Sequence, residues 1–227
     1  MIPLGLVQFI FVLTGLLLVS FLLERLWLRI FSGRKYQLLI FLGVLVHEIS
    51  HALGCLITGA KVHEIGLFSA RGSYVKHSQP KIKVIGNFII SFAPIVGGIA
   101  FIWFISEVLN FSFPIFDIKS PSLPSLVITI QEFFLFVTDN WHNWIFWFFV
   151  YTIISVVICL PPSKQDLKNS YLSLIAILGI VFLIEYFKIL TLTTFFSQAI
   201  NVVMTSAFLG LIAILLSLPI YFIKKLI

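Results

Sequence analysis

The fold this sequence predicts is an all-α polytopic membrane protein of about six transmembrane helices, with a small re-entrant β-hairpin after the second. Three observations carry the prediction. Of the 227 residues 60% are hydrophobic and only 11% charged, with a mean hydropathy of +1.11. A soluble domain is nearer half apolar and a quarter charged. The apolar residues gather into runs near the length of about 20 that crosses a bilayer, and short loops between them hold most of the charge. One segment, residues 61–83, breaks that pattern with moderate hydrophobicity and many polar groups.

In chain order, the first span covers about residues 3–23. Met1-Ile2-Pro3 lacks a basic n-region and the apolar run is too long for a signal-peptide core, so it reads as a retained anchor. It continues into Glu24-Arg25-Leu26-Trp27-Leu28-Arg29, an interfacial end with snorkelling arginines and a belt tryptophan. Ser32-Gly33-Arg34-Lys35 is a turn. The second span, about 36–58, ends at Gly59, a helix C-cap. Two short β-prone runs flank Ser69-Ala70-Arg71-Gly72 and predict a hairpin over 62–77. It either dips into the membrane with protein covering its backbone or lies on the surface.

The third span, about 84–105, is kinked at Pro94 and carries small residues at Gly97-Gly98 for close helix packing. Residues 107–140 form a connector with Pro114, Pro121 and Pro124, in which 126–137 reads as an interfacial helix. Trp141, Trp144 and Trp147 mark a membrane boundary. The fourth span, about 144–160, stops at Pro161-Pro162, after which Ser163 caps a new helix with Asp166 at its N3 position. The fifth span is short, about 171–187, and the sixth lies within 197–223. So many spans leave room for one membrane domain, 1–227, and none for a sizeable soluble one.

The net charge of +6 sits in short loops without interleaved exposed aromatics, which reads as a topology signal and not as nucleic-acid binding. An N-terminus in the cytoplasm puts Lys61, Arg71, Lys76, Lys81, Lys83, Lys164, Lys168, Lys224 and Lys225 inside. Outside fall Arg25, Arg29, Arg34, Lys35, Lys119 and Lys188. Both termini and the hairpin are therefore predicted to be cytoplasmic. The two cysteines, Cys55 and Cys159, lie near ends of apolar runs, which argues against a secreted disulfide framework.

The second span contains Val46-His47-Glu48-Ile49-Ser50-His51, and ionisable groups in lipid are expensive and usually functional. His47 and His51 are four apart, so on a helix they share one face, one turn above the other. Two imidazoles so placed bind one zinc ion, with Glu48 beside the metal as a general base for water whose pKa the metal lowers. This is the H-E-x-x-H pattern of zinc hydrolases. Its alternative is a pair of packed helix histidines with an ion-paired Glu48. A catalytic zinc site takes three protein ligands and keeps one position open. In the predicted orientation Asp166 emerges at the membrane side where His47 and His51 lie. It is a candidate third ligand or a plain helix cap; His63, His77 and Glu64 are further candidates. Cys55, four residues past His51, is a thiolate ligand or a small buried residue.

At these residues the chain resembles the site-2 protease family of intramembrane zinc metalloproteases, peptidase family M50. The resemblance rests on His47-Glu48-Ile49-Ser50-His51-Ala52-Leu53 with Thr58-Gly59-Ala60-Lys61-Val62, on Ser91-Phe92-Ala93-Pro94 with Gly97-Gly98, and on Pro161-Pro162-Ser163-Lys164-Gln165-Asp166. It covers a three-span catalytic core, 36–169. It implies zinc held by His47, His51 and Asp166, Glu48 as the base, and a re-entrant β-loop that helps hold a membrane-spanning protein substrate. The third motif departs from the family's, in which Asn and Pro precede an Asp followed by Gly; here Leu167-Lys168 follow Asp166.

Two functions follow from these residues. One is a zinc endopeptidase cutting within or near transmembrane helices. The other is a non-hydrolytic metal-ion carrier or scaffold, with His47, His51, His77 and Cys55 as transient ligands. A carrier would show further polar residues through the other spans, or repeat symmetry; beyond Asn87, Glu185 and Asn201 there is little. A carrier also has no use for a base beside its ligands.

Overall fold

The computed structural model describes residues 4–31, 34–69, 72–111, 123–163, 166, 179 and 193–226. In chain order these form α1 (Leu4–Ile30), α2 (Arg34–Leu39), α3 (Phe41–Thr58), β1 (Val62–Ser69), β2 (Gly72–His77), α4 (Lys83–Val108), α5 (Leu123–Asn140), α6 (Trp144–Ile158) and α7 (Thr193–Leu226). Among the described residues four helical segments are long and apolar enough to cross a membrane: Gln8–Ile30, Phe41–Thr58, Ile85–Val108 and Val202–Lys225. They correspond to the first, second, third and sixth expected spans. The fourth is α6, which is apolar throughout but only 15 residues long. At 1.5 Å per residue that is about 22 Å, short of a hydrocarbon core about 30 Å thick. The prolines at 161 and 162 prevent it from continuing. The expected fifth span lies outside the described residues. Six spans is therefore an expectation that four described helices carry in part.

The second span is two helices, with a break at Ile40 between α2 and α3. Its end follows the sequence reading. Gly59 takes φ 71°, the left-handed conformation that glycine adopts without strain. Gly59 N–H donates to the Leu56 carbonyl at 3.2 Å and Ala60 N–H to the Cys55 carbonyl at 2.8 Å, a Schellman closure. The hairpin forms over the expected residues, antiparallel, with Val62 opposite His77, Ile65 opposite Val75 and Ser69 opposite Gly72, and two irregularities in register. Over the segment expected to be interfacial the chain forms a helix, α5, longer than the apolar run alone indicates.

α6 sits at the centre of the packing. Its Phe146, Phe149, Ile153, Val156 and Val157 are buried with Leu16 of α1, Ile102 of α4, and Val203 and Leu209 of α7. In lipid such contacts are held by close van der Waals fit, because burial from hydrocarbon into hydrocarbon gains nothing. Small residues therefore set the approach of α3 to its neighbours. A Cβ on Gly43 would fall 1.9 Å from the Ser155 carbonyl oxygen, and one on Gly54 would fall 3.1 Å from Ile90 Cα. Gly43 N–H also donates to Ser155 Oγ at 2.8 Å. α1 packs most extensively along α7, where Trp27 Nε1 donates to Ser217 Oγ at 3.0 Å. Lys224 Nζ donates to the carbonyls of Arg29 at 3.1 Å and Ile30 at 2.8 Å, satisfying two helix-end oxygens.

Candidate active site

His47 and His51 stand one turn apart on α3, their rings 4.8 Å centre to centre and inclined at 76°. Each ring is anchored from behind. His47 Nδ1 lies 2.6 Å from the Cys159 carbonyl oxygen at the end of α6, and His51 Nδ1 lies 2.8 Å from the Ile90 carbonyl oxygen of α4. A carbonyl only accepts, so in each neutral ring Nδ1 carries the proton and Nε2 keeps its lone pair. Metal-ligating histidines have this arrangement, with the second nitrogen donating to a carbonyl or carboxylate.

Glu48 lies between them in sequence and is 2% exposed. Its carboxylate takes a hydrogen bond from the Ser73 side chain on β2, and among the described residues its Oε2 has no hydrogen-bond partner. A buried carboxylate oxygen without a partner is costly and calls for an explanation such as a water, an ion or a catalytic role. Asp166 arrives from the far side of the α6 end. Its Oδ2 is 3.8 Å from His51 Nε2. The same oxygen accepts from Ser163 N–H at 3.0 Å and Ser163 Oγ at 2.5 Å, while Asp166 N–H donates to Ser163 Oγ at 3.1 Å. This is the reciprocal cap expected from the sequence, so the cap and the approach to His51 coexist.

All four residues line one cavity of about 780 Å³, walled by α1, α2, α3, the hairpin, α4 and the α6 end. Two imidazole Nε2 atoms and one carboxylate oxygen form a donor set that suits zinc. Ligands about 2.0–2.2 Å from a tetrahedral zinc stand about 3.3–3.6 Å apart, somewhat closer than the 3.8 Å between His51 and Asp166. Among the described residues no group of three His, Cys, Asp or Glu forms a ready-made metal site. The anchored rings and the unpartnered Glu48 oxygen nevertheless fit a cation at this place.

The other candidates divide. His77 lines the same cavity, with Nδ1 2.8 Å from the Ser78 carbonyl oxygen. His63 and Glu64 are not in its lining. Glu64 is held on the exposed hairpin by Lys76 Nζ and Tyr74 OH, each at 2.6 Å. The Lys76 ammonium, then Tyr74, holds the Glu64 carboxyl below the usual carboxylate range, and Glu64 raises the Lys76 ammonium in turn. Cys55 is fully buried in a separate cluster with Ala60 and Ile90. Sequence reasoning missed Ser73 and the two carbonyls. Ser73 has no local signal, but Pro94, four residues beyond Ile90, could have pointed to that carbonyl.

A family model described as Peptidase M50B-like matches residues 16–196 of the chain. No curated protein and no solved structure matches it.

Proposed function

Since this chain belongs to the Peptidase M50B-like group of the site-2 protease family, we propose that it is an intramembrane zinc endopeptidase. Its substrates are membrane-spanning proteins, cut within or near their transmembrane helices. The observation that carries this reading is the pair of histidine rings on one cavity, each tied back through Nδ1, with the buried Glu48 carboxylate beside them.

His47, His51 and Asp166 would hold the zinc through two Nε2 atoms and one carboxylate oxygen. Zinc, when bound, supplies a Lewis acid for the scissile carbonyl and lowers the pKa of water. Glu48 accepts the proton of the attacking water and passes it to the leaving amide nitrogen. Its buried setting keeps that proton from bulk solvent. A helical substrate hides its carbonyls in its own hydrogen bonds and must be held extended to be cut. Ser73, Tyr74, Val75 and His77 of β2 border the cavity, so an extended segment can lie along that strand by strand addition. We take 36–169 as the catalytic core of a single membrane domain, 1–227, in the bilayer with both termini and the hairpin on the cytoplasmic side.

The carrier reading has less support: Cys55 is buried outside the cavity lining, and the buried oxygen there that lacks a partner among the described residues is that of Glu48, beside the histidine pair. Glu48→Gln separates the two. The amide keeps size and shape but cannot take the proton. Zinc content should match wild type while cleavage of a membrane-embedded test substrate falls by a factor of about 100 to 10,000. Undiminished cleavage would refute the assignment of the base; loss of zinc would make Glu48 a ligand or the support of one.

A further inference from the structure

The carbonyl that holds His51 lies in the middle of a helix, where carbonyls are ordinarily taken by the N–H four residues on. For Ile90 that residue is Pro94, inside α4. Proline has no N–H, and its ring crowds the carbonyl four residues back and turns it outward. The Ile90 carbonyl is thereby left without its ladder partner, and the His51 ring meets it at 2.8 Å. Gly54, one turn beyond His51 on α3, lets α4 come close enough, since a Cβ there would meet Ile90 Cα at 3.1 Å. The other ring repeats the device at a helix end. The residues that could close onto the Cys159 carbonyl include Pro161 and Pro162, which have no N–H, and Ser163, whose N–H is engaged by Asp166.

We propose that Pro94 is a positioning residue: by withholding a backbone donor it reserves the Ile90 carbonyl for His51 Nδ1–H, which fixes the ring with Nε2 toward the cavity. Pro161 and Pro162 do the same for His47 through Cys159. The inference rests on the reading of His51 as a metal ligand.

Pro94→Ala supplies the missing N–H. The new donor competes with His51 for the Ile90 carbonyl, and the ring is freed to turn or change tautomer. Outer-shell partners of this kind are worth about 10- to 100-fold in metal affinity. The measurement is zinc affinity by chelator competition, with the melting temperature of the metal-free protein, on the full chain in detergent. Wild type, Pro94→Ala, His51→Ala and Pro219→Ala are compared. Pro219 also lies inside a helix, α7, and outside the cavity lining. Pro94→Ala is expected to bind zinc 10- to 100-fold more weakly, with a metal-free melting temperature no lower than wild type. Pro219→Ala is expected to bind zinc as wild type does. Wild-type affinity in Pro94→Ala overturns the proposal, as does an equal loss in Pro219→Ala. A lowered melting temperature of metal-free Pro94→Ala overturns it too, because Pro94 would then serve packing. Unchanged zinc binding in His51→Ala sinks the ligand reading instead, so the two failures are distinguishable.

Discussion

Asp166 has two partners for one oxygen, the Ser163 cap and the His51 ring. An asparagine side-chain oxygen can still accept from Ser163 N–H and Oγ, but an amide is a poor zinc ligand. Asp166→Asn is therefore expected to keep the helix start and lower zinc occupancy, read by metal analysis beside circular dichroism. Full zinc occupancy would leave Asp166 a cap and make His77 the next residue to test. Ser73 is the second residue-scale case. A hydrogen bond to a charged group is worth about 1.5–3 kcal/mol, so Ser73→Ala should lower kcat roughly tenfold or more with KM unchanged, and Ser73→Thr should restore it. A rise in KM alone would make Ser73 a substrate contact. His47, Glu48 and His51 were legible because helical spacing turns a string of letters into a shared face. Asp166 was legible because topology put it at the same side as His51. Ser73 was not, because its contact with Glu48 joins α3 to β2 through a hairpin of ordinary composition. The Ile90 and Cys159 carbonyls were illegible in another way: a backbone oxygen has no residue identity, and only the prolines beside it betray its availability.

Among the elements, the hairpin depends on charge. Glu64 titrates below its ordinary value of 4.5, so its contribution is present above that pH and is lost as pH falls through the lower folded value. Lys76 titrates above its ordinary 10.5, so its contribution is present below that pH and is lost as pH rises through the higher folded value. The pair is thus intact between about pH 4.5 and 10.5. Being exposed, it is also weakened by salt. Protection factors of the 72–77 amides, taken against the intrinsic exchange rate at each pH, should be highest inside that window and fall with ionic strength; a flat profile would assign the hairpin's order to its other contacts. The seam between α3 and α6 depends on space instead. Gly43→Ala puts a methyl 1.9 Å from the Ser155 oxygen and 2.9 Å from Cys159 Sγ. It should cost about 1–3 kcal/mol in thermal stability and weaken zinc binding through the displaced Cys159 carbonyl. The hairpin and the Gly59 stop were legible because turn chemistry is local. The break at Ile40 was not, since an unbroken apolar run gives no cue to it. The shortness of α6 was written in Pro161-Pro162, but its central position among α1, α3, α4 and α7, which tolerates a short helix, is a property of its neighbours.

For the molecule as a whole, orientation is the property left to measure. Cysteines placed in the hairpin and near both ends should react with a membrane-impermeant reagent only from the cytoplasmic side; reaction from outside would overturn the topology and the basic-residue argument with it. The pairing of α1 with α7 bears on a different matter, the order in which the chain is made. α1 brings Glu24 and Arg25 to the cavity wall, yet its most extensive packing, its Trp27 hydrogen bond and the Lys224 contacts at its end all come from α7. A ribosome delivers α3 and the hairpin long before α7. Until α7 is made, the histidines and Glu48 stand in a chamber one wall of which lacks its main brace. A chain stopped at residue 192 should insert yet cleave nothing, and co-expressing 193–227 as a separate piece should restore cleavage; a truncated chain that cleaves alone would contradict this. Arrival of α7 then closes the brace on α1, and a copy without it carries the histidines and Glu48 beside an unsupported wall.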